Sequence, residues 1–129
     1  MTKTVLVVED SALLQKAYGT ALASYANAKL DVLYASNGAE ALERLSQSPL
    51  IDLIILDVNM PVMEGTVFLE HLRRDYAAFE IPVILASTRA YATRAVLGPS
   101  AGIAACLQKP FAPRELHGLL DGIWSAANK

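Results

Sequence analysis

The chain has 129 residues, of which 53% are apolar, and carries a net charge of −2. That length suits one domain, 1–129, and that apolar share excludes a disordered chain. Scattered lysines and arginines argue against a nucleic-acid surface, and no apolar run approaches the ~20 residues of a membrane span, so a soluble, cytoplasmic protein is expected.

Thr4 to Val8 reads as a buried strand that ends in Glu9-Asp10. Ser11 is placed to cap a helix running to about Tyr25, with Leu13, Leu14, Ala17, Tyr18, Ala21 and Leu22 on one stripe. Leu30 to Ala35 is a second strand. Asn37, with Glu40 three residues on, opens a second helix to about Ser46, with Ala41, Leu42 and Leu45 inward, and Pro49 closes the connection. Leu53 to Leu56 is apolar throughout, as a strand covered on both faces would be, and Asp57 follows it directly. Asn59, Met60-Pro61 and Gly65 are loop signals.

A third helix is expected from about Gly65 to Asp75, with Val67, Phe68, Leu69 and Leu72 as its apolar positions and Arg73 and Arg74 suiting its C-terminal dipole. Pro82 to Ala86 is a fourth strand, ending in Ser87-Thr88. A fourth helix near Tyr91 is interrupted by Gly98-Pro99, because proline lacks the amide donor the next turn needs. Ala105 to Gln108 is a short fifth strand, followed by Lys109-Pro110. Pro113 fits the first position of a last helix, with Leu116, Leu119, Leu120, Ile123 and Trp124 as its apolar stripe. The alternation implies an α/β fold: a doubly wound five-stranded parallel sheet of order 2-1-3-4-5, flavodoxin-like, with five helices.

The ends of parallel strands share one edge of the sheet. Glu9-Asp10, Asp57, Ser87 and Lys109 all stand at such ends. Clustered carboxylates repel unless a cation intervenes, and a hard divalent ion, Mg²⁺, suits oxygen ligands. Lys109 offers a point charge to an anion and Ser87 a hydroxyl donor. The set suits a carboxylate that accepts a phosphoryl group.

The segments VLVVEDS, LIILDVNMPVMEG, IPVILAS and LQKPF stand in order along the whole chain, and with them it resembles a response-regulator receiver domain of the single-domain chemotaxis type. The resemblance implies a signalling switch in a two-component phosphorelay, not an enzyme with another substrate. It implies that Asp57 takes phosphate from a histidine kinase or histidine phosphotransfer protein. Asp10, Asp57 and the backbone carbonyl of Asn59 would bind Mg²⁺, with Glu9 acting through water. Lys109 would pair with the phosphoryl group, Ser87 would be the switch hydroxyl with Thr88 beside it, and Asn59 and Arg89 would tune the phosphorylated lifetime. Output would run through the helix 4–strand 5–helix 5 face to a downstream protein, from a monomer or weak homodimer, with no nucleic acid or membrane partner.

This chain departs from the family pattern in three places. Cys106 stands where receivers usually carry Tyr or Phe, Thr88 is larger than the usual Ala or Gly, and Gly98-Pro99 alters the fourth helix. Cys106 reads as a small core residue rather than a redox sensor. His71 and His117 read as structural, Met60 and Met63 as packing, and Trp124 as packed under the last helix. Tyr91, Arg89 and Arg94 are candidate partner contacts. Two other functions compete with the switch. A constitutive interaction module would keep the fold alone. A flavodoxin-like nucleotide enzyme would need a glycine loop after the first strand, where ED-S stands instead.

Overall fold

The computed structural model describes residues 2–47, 50–58, 62–76, 81–98 and 102–127. The strands are β1 (Thr2–Val8), β2 (Lys29–Ala35), β3 (Leu53–Asp57), β4 (Val83–Ser87) and β5 (Ile103–Gln108). The helices are α1 (Ala12–Ala23), α2 (Gly38–Gln47), α3 (Val62–Tyr76), α4 (Ala90–Leu97) and α5 (Pro113–Ala127). All strand pairs are parallel, in the order β2-β1-β3-β4-β5, as the sequence predicts.

Side-chain alternation along the strands divides the core into two layers. Val5, Val7, Leu53, Ile55, Ile84, Ala86 and Leu107 face Tyr18 and Leu22 of α1 and Leu116, Leu120 and Trp124 of α5. Leu6, Val8, Ile54, Leu56, Val83 and Leu85 face Ala41 and Leu45 of α2 and Phe68, Leu69 and Leu72 of α3. Every residue of β3 is buried. Each such aliphatic side chain contributes about 1.5–3 kcal/mol relative to exposure. The covered central strand therefore fixes the position of the acid at its end.

Several boundaries and faces differ from expectation. β1 and β2 start earlier, at Thr2 and Lys29, because pairing with a neighbour extends both beyond their apolar cores. Leu13 is 77% exposed and Ala17 is exposed as well; the inward stripe of α1 is Tyr18, Ala21 and Leu22, and Leu13 and Ala17, four residues apart, share a flank turned away from it. α3 begins at Val62 rather than near Gly65, and Val67 faces outward. β5 begins at Ile103, two residues early, where an irregularity at Val83/Ile84 shifts its register against β4. α4 is short, as expected, and stops at Gly98, whose φ of 80° takes the chain out of the helix.

The predicted caps are present in α1 and α2. Ser11 Oγ accepts the Leu14 N–H at 3.3 Å, and Asn37 Oδ1 accepts the Glu40 N–H at 2.8 Å. Trp124 is buried beneath α5, with Lys3 Nζ 5.5 Å from its ring centroid. His117 Nε2 lies 2.7 Å from the Ala21 carbonyl oxygen and joins α5 to α1, which is a structural role. Pro49, Asn59, Met60 and Pro99 lie outside the described residues.

Candidate functional site

Asp57 is the last residue of β3, and strand parity turns its side chain toward the α1/α5 layer with Leu53 and Ile55. Glu9 follows Val5 and Val7 on the same parity, and Lys109 follows Leu107. The fold thus sends three ionisable side chains from different strand ends to one face. Lys109 Nζ reaches Asp57 at 2.7 Å from Oδ1 and 3.0 Å from Oδ2. The side chains of this pair are 9% and 0% exposed. The Lys109 N–H donates to the Ser87 carbonyl at 2.9 Å, which ties its main chain to the end of β4.

Glu9 is buried, and its Oε1 accepts the Ser11 N–H at 3.1 Å. Burial, and then the negative charge of Asp57, push its carboxyl up to about 7. Among the described residues its other oxygen, Oε2, is buried and meets no hydrogen-bond donor. Such an atom is costly unless something else meets it.

A third contact was not foreseen from the sequence. The Tyr18 hydroxyl donates to Asp57 Oδ2 at 2.5 Å, so both carboxylate oxygens are engaged. Burial, followed by the charge of Asp57, holds the phenol far above its ordinary range. The Tyr18 ring stacks on Phe111, with centroids 5.2 Å apart. Tyr18 lies about 9 Å along α1 from its first residue, yet helical side chains lean toward the N-terminus, which carries the hydroxyl back to the sheet edge.

Ser87, Thr88, Arg89, Arg94 and Cys106 lie on β4, α4, β5 and the loop between β4 and α4. Ser87 is buried at the end of β4, and its Oγ accepts the Arg89 N–H at 3.0 Å. Thr88 and Arg89 are exposed. Gln108 clasps this loop: its Nε2 donates to the Thr88 carbonyl, and its Oε1 accepts the Ala90 N–H at 3.2 Å. In the sequence Gln108 is marked only as the last residue of a strand. Cys106 is half-buried against the α2/α3 core layer, with Sγ 3.8 Å from the Ala90 carbonyl oxygen. Arg94 stays exposed while donating to the Ile103 carbonyl at 3.0 Å.

Asp10 is exposed, unlike Glu9 and Asp57. Among the described residues no group of three or more His, Cys, Asp or Glu side chains is placed to hold a metal ion. The donor chemistry of two of the predicted residues nevertheless fits a hard cation. Glu9 presents a buried oxygen without a partner beside Asp57, and a divalent ion would meet that oxygen and offset the repulsion between the two carboxylates.

Comparison with known proteins identifies the family. Residues 5–121 match the family model described as response regulator receiver domain. A chemotaxis protein, CheY1 of Helicobacter pylori, is 32% identical over 117 residues, spanning 91% of this chain and 93% of that one. The structure of the chemotaxis protein CheY4 of Vibrio cholerae superposes with a TM-score of 0.79 at 29% identity, covering 95% of this chain and 99% of that one. A receiver domain protein from Clostridium thermocellum shares the fold, with a TM-score of 0.81, 21% identity, and coverage of 98% and 97%. With a family match that takes in all five strand ends and the acid–lysine pair between them, the chain belongs to the response regulator receiver domains of two-component signalling and is of the chemotaxis, CheY-like type.

Proposed function

We propose that Asp57 is the phosphoacceptor of a signalling switch and takes a phosphoryl group from a phosphohistidine on a kinase or phosphotransfer protein. The observation that carries this reading is the buried Asp57 carboxylate at the end of the central strand, with the Lys109 ammonium 2.7 and 3.0 Å from its two oxygens. In the reaction an Asp57 oxygen forms a bond to phosphorus as the phosphorus–nitrogen bond breaks. The imidazole leaves with that electron pair. Negative charge then grows on the phosphoryl oxygens within reach of Lys109, whose ammonium is already desolvated and in place. Receiver domains generally depend on Mg²⁺. Glu9, Asp57, Asp10 and the Asn59 carbonyl are the residues that would hold it here. When bound, the ion supplies charge neutralisation at the transferring group.

Ser87 is the switch hydroxyl in this reading. Its Oγ accepts the Arg89 N–H at rest, and its O–H would donate to a phosphoryl oxygen, with Thr88 beside it. Asn59 and the exposed Arg89 tune attack by water. Output runs through α4, β5 and α5 to a downstream protein. Tyr91 and Val96 support that surface, being large apolar side chains that are 69% and 72% exposed on α4. The chain acts on no substrate beyond its own phosphorylation and dephosphorylation, works in the cytoplasm, and is a monomer or weak homodimer.

Incubation with acetyl phosphate and Mg²⁺, followed by intact-mass measurement, tests the reading. Wild type is expected to gain one phosphoryl group and Asp57→Ala none. Equal labelling of Asp57→Ala would overturn the assignment, and no labelling of wild type would turn the reading toward a constitutive interaction module.

A further inference from the structure

We propose that Tyr18 is a positioning residue for phosphoryl transfer: its hydroxyl ties Asp57 in the resting state, and the tie is given up when the acceptor reacts. The inference rests on Asp57 being the phosphoacceptor and assigns a role to a residue on α1, outside the strand-end motifs.

Three observations support it. The phenol donates to Asp57 Oδ2 at 2.5 Å, inside a layer where Tyr18 is 1% exposed, so no water competes for that oxygen. Lys109 engages both carboxylate oxygens, and neither is therefore left without a donor. The Tyr18 ring is also clamped, stacked on Phe111 two residues beyond Lys109, so the hydroxyl is aimed rather than swinging. A hydrogen bond to an ionised carboxylate is among the stronger ones and withdraws electron density from the carboxylate that must attack.

In transfer, one Asp57 oxygen bonds to phosphorus and the donor's leaving group departs with the electron pair of the broken bond. Tyr18 keeps its proton throughout, and only its acceptor changes. The Asp57 carboxylate is more nucleophilic without the phenol, so the resting bond is a ground-state restraint. It slows phosphorylation by donors that do not displace it. The clamp also sets a direction. When the hydroxyl loses Asp57, the ring and Phe111 are free to shift, and the first displacement falls between α1 and the β5–α5 connection. That is the layer opposite Cys106, which packs on the α2/α3 side.

Tyr18→Phe removes the hydroxyl and keeps the buried ring. Acetyl phosphate labelling with saturating Mg²⁺ is expected to run about tenfold faster in this variant, the size of one charge-assisted bond lost from the ground state. A second measurement needs no variant to be active. Beryllofluoride with Mg²⁺ is expected to give a tyrosine ultraviolet difference spectrum in wild type that disappears in Tyr18→Phe. Equal or slower labelling of Tyr18→Phe would overturn the tie, as would the same difference spectrum in both proteins or none in wild type. A wild type that does not label at all would instead overturn the phosphoacceptor reading beneath it.

Discussion

Replacing Lys109 by methionine removes the ammonium from a carboxylate that has almost no access to water. The exposures of 9% and 0% place the pair in the regime where solvent screens little. Deleting one partner of a buried pair costs about 3–5 kcal/mol, because the other charge stays desolvated. Here Asp57 keeps the Tyr18 hydroxyl at 2.5 Å, which offsets part of that cost, while Glu9 remains beside it as a second acid. The expected loss is about 2–4 kcal/mol at neutral pH without Mg²⁺. Lys109→Met combined with Asp57→Asn removes both charges, and its stability should return to within about 1 kcal/mol of wild type. Urea denaturation of wild type, the single variants and the double variant gives the coupling directly. If the double loss equals the sum of the single losses, or if Lys109→Met loses less than about 0.5 kcal/mol, the pair is not the desolvated contact described above.

A Mg²⁺ titration should raise the melting temperature, by the equivalent of about 2.7 kcal/mol at a hundredfold excess over Kd, and both Glu9→Gln and Asp10→Asn should blunt the rise; an identical rise in the variants would count against these ligands. At the far end of the molecule, bonds from Tyr25 and then Asn27 hold the Asp121 carboxyl below its ordinary value of 3.8. Its contribution is thus present above that value and lost as pH falls through and below it, so between neutral pH and about pH 3 the wild-type melting temperature should drop more than that of Asp121→Asn. Gln108→Ala should loosen the β4–α4 loop without unfolding the chain, seen as faster amide exchange at Ala90 and neighbouring residues. Unchanged exchange there would mean that the clasp contributes nothing.

The sheet was legible in the sequence because its central strands are covered on both faces and so read as unbroken apolar runs, Leu53 to Leu56 above all. Strand ends were less so: Thr2 and Lys29 are held by pairing rather than by burial, and no periodicity marks that. In α1, Leu13 and Tyr18 both looked like core. Only the fold reveals which flank of the helix turns to the sheet, leaving Leu13 in water and Tyr18 beneath the site. Asp57, Glu9 and Lys109 were legible as a group because parallel strands present their ends together. Tyr18 was not, since the apolar stripe accounts fully for a tyrosine there. The one available signal was its polar tip on an inward position within reach of the acidic edge. Gln108 was hidden by its exposure, since its contacts are to main-chain atoms of a loop that no pattern places. The exposure of Asp10 beside the buried Glu9 follows from β1 ending at Val8, so that Glu9 still pairs with Ala35 through its N–H while Asp10 is already past the sheet.

The central claim is that one carboxylate, Asp57, forms a covalent acyl phosphate. Borohydride reduces an acyl phosphate to the corresponding alcohol and leaves free carboxylates untouched. Protein incubated with acetyl phosphate and Mg²⁺, reduced, digested and sequenced by mass spectrometry should therefore carry homoserine at position 57 and unchanged aspartate at position 10. Homoserine at position 10, or aspartate still at position 57 in protein that has gained a phosphoryl group, would contradict it.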